Sequence, residues 1–246
     1  MIKFFRRIRQ KLLTENKTSK YLLYAIGEII LVVVGILIAL QINNWNENQK
    51  LKSEGIKLLQ NFKISIEADT VRVNAYINIF SYVEKDINSI LRHMDEDLPY
   101  HDSLSFSNST AIWWPRIDQE IFATLTSTDL NNISNDTLKK EITSYYSYAN
   151  GIFESSIERY ANYVEEGVKN VFNSRFNAFG GSDDKRTNML PNDYEALKKD
   201  NEYLYFLKSQ KNYFFWYVKR SLKEAKEKAD NLLASLSKEL AKNDKK

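Results

Sequence analysis

The chain has 246 residues, of which 43% are hydrophobic, 27% charged and 13% aromatic. That composition suits one domain of ordinary size with a real core, not a disordered chain. Seven Gly and three Pro are too few for a sandwich, a barrel or a collagen-like chain. With no Cys, disulfides, zinc fingers, Cys nucleophiles, iron–sulfur clusters and cysteine-linked lipid anchors are all excluded. The net charge of +3 is unevenly spread: residues 1–20 carry seven Lys or Arg against one Glu, the remainder 28 against 31. A basic head on a mildly acidic body is a local signal and not a nucleic-acid footprint, so no nucleic-acid partner is expected.

From Tyr21 to Leu40 the chain reads YLLYAIGEIILVVVGILIAL. Twenty residues with a single charge make about 30 Å of helix, the thickness of a bilayer's hydrocarbon core. Gln41, Asn43, Asn44 and Trp45 follow as an interfacial polar and aromatic edge. The run is long for a cleaved signal peptide, and no A-x-A-like site follows it, so a retained anchor in the lipid bilayer is expected. Seven basic residues precede the span, while Lys50, Lys52 and Lys57 are the basic residues in the twenty after it. The positive-inside rule then makes Arg6, Arg7, Arg9 and Lys11 topology determinants. It predicts a cytoplasmic tail (1–20), a transmembrane anchor (21–44) and an extracytoplasmic helical domain (45–246), on the cytoplasmic (inner) membrane with a periplasmic C-terminal domain. Phe5, Ile8 and Leu12 share a helical face, which either lies on anionic headgroups or belongs to a short solvated tail.

Glu28 is the odd residue of the span. A carboxylate at mid-membrane costs on the order of 3 kcal/mol. Glu28, Gly35 and Ala39 share one helix face, with a small-xxx-small pair at Gly35 and Ala39. Either this is a membrane-helix packing face with Glu28 bonded to a partner helix, or Glu28 snorkels to the headgroups.

Between Leu59 and Met94 a heptad template fits. Leu59, Phe62, Ile66, Val73, Tyr76, Phe80, Val83, Ile87, Ile90 and Met94 fill its apolar positions, and Asp69 is the exception. A strand-like alternation at 71–79 competes, but its phase conflicts with 62–68 and no Gly or Pro lies between. One long helix from about Trp45 to Asp95 is predicted. Residues 96–134 (Pro99, SLSFSNST, Trp113–Trp114–Pro115) read as a connector with buried aromatics and a short helix near Asp118 to Ser127. Ser134 or Asn135 caps a second helix, in which Leu138, Ile142, Tyr145, Ala149, Phe153, Ile157, Tyr160, Val164, Val168 and Val171 recur at steps of three and four. Asn150–Gly151 is its weak point. Asn177 to Asn192 is a loop, and a third helix runs from Asp193 or Asn201 to Lys242. Phe215, Val218, Leu222, Ala225, Ala229, Leu232 and Leu236 line its face. The expected fold class is all-α: one transmembrane helix continuing into a bundle of about three long amphipathic helices plus a short one.

Two stretches carry a resemblance. MIKFFRRIRQKLLTENK with KYLLYAIGEIILVVVGILIALQINNWNE strongly resembles a large family of uncharacterised single-pass membrane proteins of Gram-negative bacteria, a domain of unknown function. DLNNISNDTLKKEITSYYS resembles that family's second recurring pattern through Leu130, Ile133, Asn135, Leu138, Ile142, Tyr145 and Tyr146, with Thr128 where members often carry Gly. The resemblance implies a signal-anchored helical protein and brings no activity, substrate or catalytic residue.

Chemistry is hard to find. His93 and His101 lie in RHMDEDLPYHD beside several carboxylates and are the candidate metal ligands, but without i,i+4 spacing the pattern equally describes a polar helix end. Glu165–Glu166 and Asp183–Asp184 are adjacent, so on a helix they point apart. No G-x-S-x-G, H-E-x-x-H, P-loop or G-x-G-x-x-G occurs. No cofactor and no catalytic residue is expected. The run YFFWYV, Tyr213 to Val218, reads as helix buried on every side. The basic stretch from Lys219 reads as a solvated face, with a return to the membrane surface as the alternative. The expected function is a membrane-anchored interaction or scaffold protein of the bacterial envelope, its partner another envelope protein or a second copy. The alternative is a ligand-sensing or accessory subunit acting through a partner membrane protein.

Overall fold

The apolar run and the heptad stripe lie on one helix, α1 (Thr18–Asp95). The first proline, Pro99, comes after it, so every backbone N–H along the run can bond within the helix. In this computed structural model the structure describes residues 18–125, 127–179 and 189–243. Arg6, Arg7, Arg9 and Lys11, the Phe5–Ile8–Leu12 face, Gly180–Gly181 and Asp183–Asp184 lie outside the described residues. Among the described residues helices dominate and no strand occurs; one isolated antiparallel bridge joins Phe176 and Pro191. The chain is all-α.

Two compact units divide it, Met1–Glu54 and Gly55–Lys246. In the first, the apolar side chains from Ile26 to Ile42 face outward on all sides of α1. In the second, the heptad stripe is buried throughout except for Tyr76, which is half-buried against the core. The helix ends where expected: Asp97 takes a left-handed φ of 51°. Leu98 N–H then donates to His93 O at 2.9 Å, and Asp97 N–H reaches toward Met94 O. That is a Schellman-type stop with Asp in the place glycine prefers. Lys198 Nζ holds the Asp97 carboxylate at 2.6 Å and keeps it below the usual carboxylate range.

Three short helices, not one, occupy the connector: α2 (Phe106–Ser109), α3 (Glu120–Ala123) and α4 (Ser127–Asn131). The expected burial of Trp113 and Trp114 is corrected: both are about half exposed, and Pro115 and Ile117 turn inward instead. Gly55 explains how close this segment comes. A Cβ there would collide with the backbone carbonyl of Asn132.

Asn135 caps the second long helix by accepting from Thr137 and Leu138 N–H. It runs as α5 (Asp136–Tyr148), a π-helical turn Ala149–Phe153, α6 (Glu154–Gly167) and a second π turn Val168–Phe172. The Asn150–Gly151 weak point falls inside the first π turn, which widens the helix without ending it. The loop beyond is pinned at its base, where Asn177 N–H donates to Leu190 O and Asn192 N–H to Arg175 O. Asp193 caps α7 (Tyr194–Leu197), and Asp200 caps α8 (Asn201–Tyr213), so both expected starts exist, split by a turn. Arg175 reaches Asp200 at 2.7 Å and Glu202 at 2.6 Å, tying the loop base to that cap. A third π turn, Phe214–Lys219, leads into α9 (Arg220–Asn243).

That third π turn overturns two expectations. Phe214 and Val218 are buried, whereas Phe215 and Trp216 are about half exposed. Phe215 therefore does not belong to the buried face, and YFFWYV is not buried on every side. The extra residue in a π turn shifts the register, so the inward positions run Gln210, Phe214, Val218, Leu222 at steps of four. Gly167 is the other tight spot, because a Cβ there would strike the Phe206 ring, which stacks on Tyr163.

Candidate functional site

The expected membrane segment has the physical character its sequence predicts. The most apolar 18-residue window of its helix averages a hydropathy of 2.6, and none of that window is buried. Side chains apolar on every face, with no protein covering them, suit a lipid surrounding. The helix is long and apolar enough to cross a membrane. On it, Gly35 has open space where a Cβ would sit, Ala39 is exposed and Glu28 is half-buried. The close approach that a small-residue face allows is thus sterically available.

The bundle's most unusual group is one the heptad template treated as a mismatch. Asp69 is 0% exposed. Its Oδ1 accepts from Asp118 N–H at 3.0 Å and its Oδ2 from the Tyr145 hydroxyl at 2.9 Å. Arg72 lies 3.5 Å from Asp69 and 3.5 Å from Asp118. One carboxylate thereby joins α1, the connector before α3, and α5. Burial raises its pKa above the usual carboxylate value, and the two hydrogen bonds pull the other way. Burial likewise pushes Tyr145 far up, with the charge of Asp69 adding to it, and pushes Tyr146 up to about 12. The Tyr146 hydroxyl and Ser65 Oγ are buried and form no regular hydrogen bond, while the Tyr146 ring stacks on Phe122 at 4.7 Å. Asp69 has no solvent-exposed surface, and its two hydrogen bonds hold the three segments together. A sequence signal for it did exist, in a single acid at an apolar heptad position followed by a Tyr-Tyr pair in the next long helix.

A second buried polar group is Gln210. Its Nε2 donates to Ser109 O at 2.5 Å and to the Tyr160 hydroxyl at 3.2 Å, linking α2, α6 and α8.

The two candidate metal ligands part company. His93 sits in the last turn of α1, is buried, and its Nδ1 lies 3.3 Å from Pro99 O. His101 is exposed and bonds Ser103 Oγ at 2.7 Å. Among the described residues no group of three or more His, Asp or Glu is placed to hold a metal ion. Glu165 and Glu166 are both exposed on α6.

Residues 28–102 match the model of a family of unknown function, DUF6090. The match spans most of the apolar segment, the heptad stripe and the end of α1. Residues 1–27 and the segment from Leu130 to Tyr146 lie outside it. No curated protein and no solved structure matches the chain.

Proposed function

We propose that this chain is a membrane-anchored helical interaction protein of the bacterial envelope, and not an enzyme. Its N-terminal tail lies in the cytoplasm, α1 crosses the inner membrane, and residues 45–246 form a periplasmic bundle. A partner membrane protein or a second copy pairs with α1 through Glu28, Gly35 and Ala39. The observation that carries the reading is the contrast on α1: a fully exposed apolar segment precedes a stripe whose apolar side chains are all satisfied within the bundle. In lipid, helices gain nothing from hydrophobic burial against each other, so close packing at small residues and a polar bond are what remain to pair them.

Crosslinking of the full chain in native membranes tests the proposal. Gly35→Ile and Glu28→Ala should each weaken the crosslink, by roughly 0.6–2 kcal/mol for one such contact. Leu37→Ala, nine residues from Glu28 on the far side of the helix, should leave it unchanged. A wild-type chain that crosslinks to nothing, or variants that behave like wild type, would reduce α1 to an anchor.

A further inference from the structure

The buried stripe is not the only heptad on α1. Ile64, Ala68, Val71, Ala75, Asn78 and Tyr82 follow one another at alternating steps of four and three, and all six are exposed. Ile64 is 65% exposed, Val71 70% and Tyr82 66%, so no part of the bundle covers this side of α1. At about 100° per residue the six lie within roughly 40° either side of one line. The buried Ile66, Val73 and Phe80 lie on the opposite side. In a heptad the outward six are successive d and a positions, and the three inward ones are f. None of the six is charged, while Lys57 and Lys85 take the d positions just beyond and close the stripe at both ends. Single exposed apolar side chains are ordinary; what singles these out is their spacing.

We infer that this stripe pairs in parallel with the same stripe of a second copy, as a short two-stranded coiled coil beyond the membrane segment. The inference rests on the anchored reading above, under which two copies held in one bilayer run outward in the same direction. Charge complementarity makes the partner the same helix. Glu67 stands at g on one flank of the stripe, and Arg72 stands at e on the other, five residues on. In a parallel pair a g residue faces the e residue of its partner's next heptad. Glu67 of each copy therefore meets the partner's Arg72, and two-fold symmetry makes the contact twice. Both side chains are open to it. Glu67 is 52% exposed and lies 3.8 Å from Lys63. Arg72 is 42% exposed and comes no closer than 3.5 Å to Asp69 or Asp118. A guanidinium carries five N–H donors, so Arg72 can reach the second copy without leaving the Asp69 corner. Asn78 meets its own counterpart only when the two stripes are in register, and a lone Asn in a coiled-coil core specifies register. Ala68 and Ala75 bury little area, so the seam alone is weak. Two things offset that: α1 is already folded, so pairing pays no helix nucleation, and anchoring raises the effective concentration of the second copy.

The full chain has no Cys, so one thiol can be placed at a time. Purified Ala68→Cys and Ala75→Cys proteins, reconstituted into phosphatidylcholine vesicles, should each form a disulfide with their own copy on mild oxidation. Asn88→Cys, exposed on α1 but off the stripe, should form little. Val71→Asp sets two carboxylates face to face and should abolish the Ala75→Cys crosslink. Glu67→Lys removes both symmetric ion pairs and should slow that crosslink about 2- to 25-fold. Residues 67 and 71 are exposed, so neither change should move the unfolding midpoint. No crosslink at 68 and 75, or equal crosslinking at 68, 75 and 88, overturns the inference. So does crosslinking untouched by both Val71→Asp and Glu67→Lys. Ala68→Cys copies that crosslink to Asn78→Cys copies and not to themselves would mean an antiparallel pair, and would overturn it as well. Alkaline extraction of the same vesicles reads the anchor separately. Protein stripped by the wash defeats the anchored reading, whereas protein that stays but does not crosslink defeats the stripe alone.

Discussion

Residues 26–42 and 59–94 are both rich in Ile, Leu and Val, they lie on the same helix, and they meet opposite surroundings. In the first, the apolar side chains cover every face and all are exposed. In the second most of them form one buried stripe, and the faces between carry Lys63, Glu67, Arg72 and Lys85 together with the exposed Ile64, Val71 and Tyr82. The difference shows what period alone can decide. A stripe asks for other helices and finds them in α5, where Phe62 meets Tyr146, and in the π turn Phe214–Lys219, where Phe80 meets Phe214. A helix apolar all round asks for an apolar solvent, since no bundle of this size covers every side. The two segments should therefore respond differently to the same kind of mutation.

The largest difference is expected from truncating one apolar side chain in each. Phe62 is fully buried and its ring lies against Tyr146 at 5.8 Å. Phe62→Ala should cost the bundle about 3–5 kcal/mol in denaturant unfolding. Ile38→Ala should leave that transition in place, because Ile38 is exposed and lies outside the core. Equal losses from the two would erase the distinction between the segments.

A smaller effect is expected at Asp69, where the buried stripe breaks its own rule. Asp69→Ala strands the Asp118 N–H and the Tyr145 hydroxyl, each costing roughly 1–3 kcal/mol if left unpaired. Asp69→Asn isolates the charge. Because the folded pKa lies above the ordinary value of 3.8, the folded state binds the proton more tightly than the unfolded state. The Asp69 contribution is then fully present below pH 3.8 and is lost as pH rises through the folded pKa. The stability of wild type minus that of Asp69→Asn should grow as pH falls through that window. Asp97 and Asp200, held below the usual range by Lys198 and Arg175, contribute in the opposite sense and cancel in the difference. A pH-independent difference would show that the carboxylate is not strained by burial.

The smallest effect is expected at His93. As a buried side chain next to Pro99 O, it should cost about 1 kcal/mol on replacement by Ala, read as a lower unfolding midpoint, while His101→Ala changes nothing measurable. An unaltered midpoint for both would show that burying His93 contributes nothing measurable to stability.

Much of the architecture was legible because it rests on local pattern. The ten-residue stripe from Leu59 to Met94, a cap at Ser134 or Asn135 and a helix start at Asp193 or Asn201 need only spacing and side-chain type. What failed needed long-range partners or an irregular turn. Asp69 is buried because its donors come from residues 49 and 76 positions away, which no heptad count can see. A regular helix puts Phe215 inside, and one π turn moves Phe214 into its place. Residue type alone puts Trp113 and Trp114 in the core, yet the connector turns Pro115 and Ile117 inward. The candidate site suffered most, since its polar groups are scattered along the chain and meet only in the fold.

Single-cysteine labelling in intact cells reads the contrast along α1 position by position. Full chains carrying Ser144→Cys, Leu37→Cys or Lys11→Cys are treated with a maleimide that cannot cross the inner membrane, after the outer membrane is opened. Labelling is expected at 144, none at 37 before or after detergent-free lysis, and labelling at 11 after lysis alone. Labelling of Leu37→Cys in intact cells, or of Lys11→Cys before Ser144→Cys, would contradict that contrast.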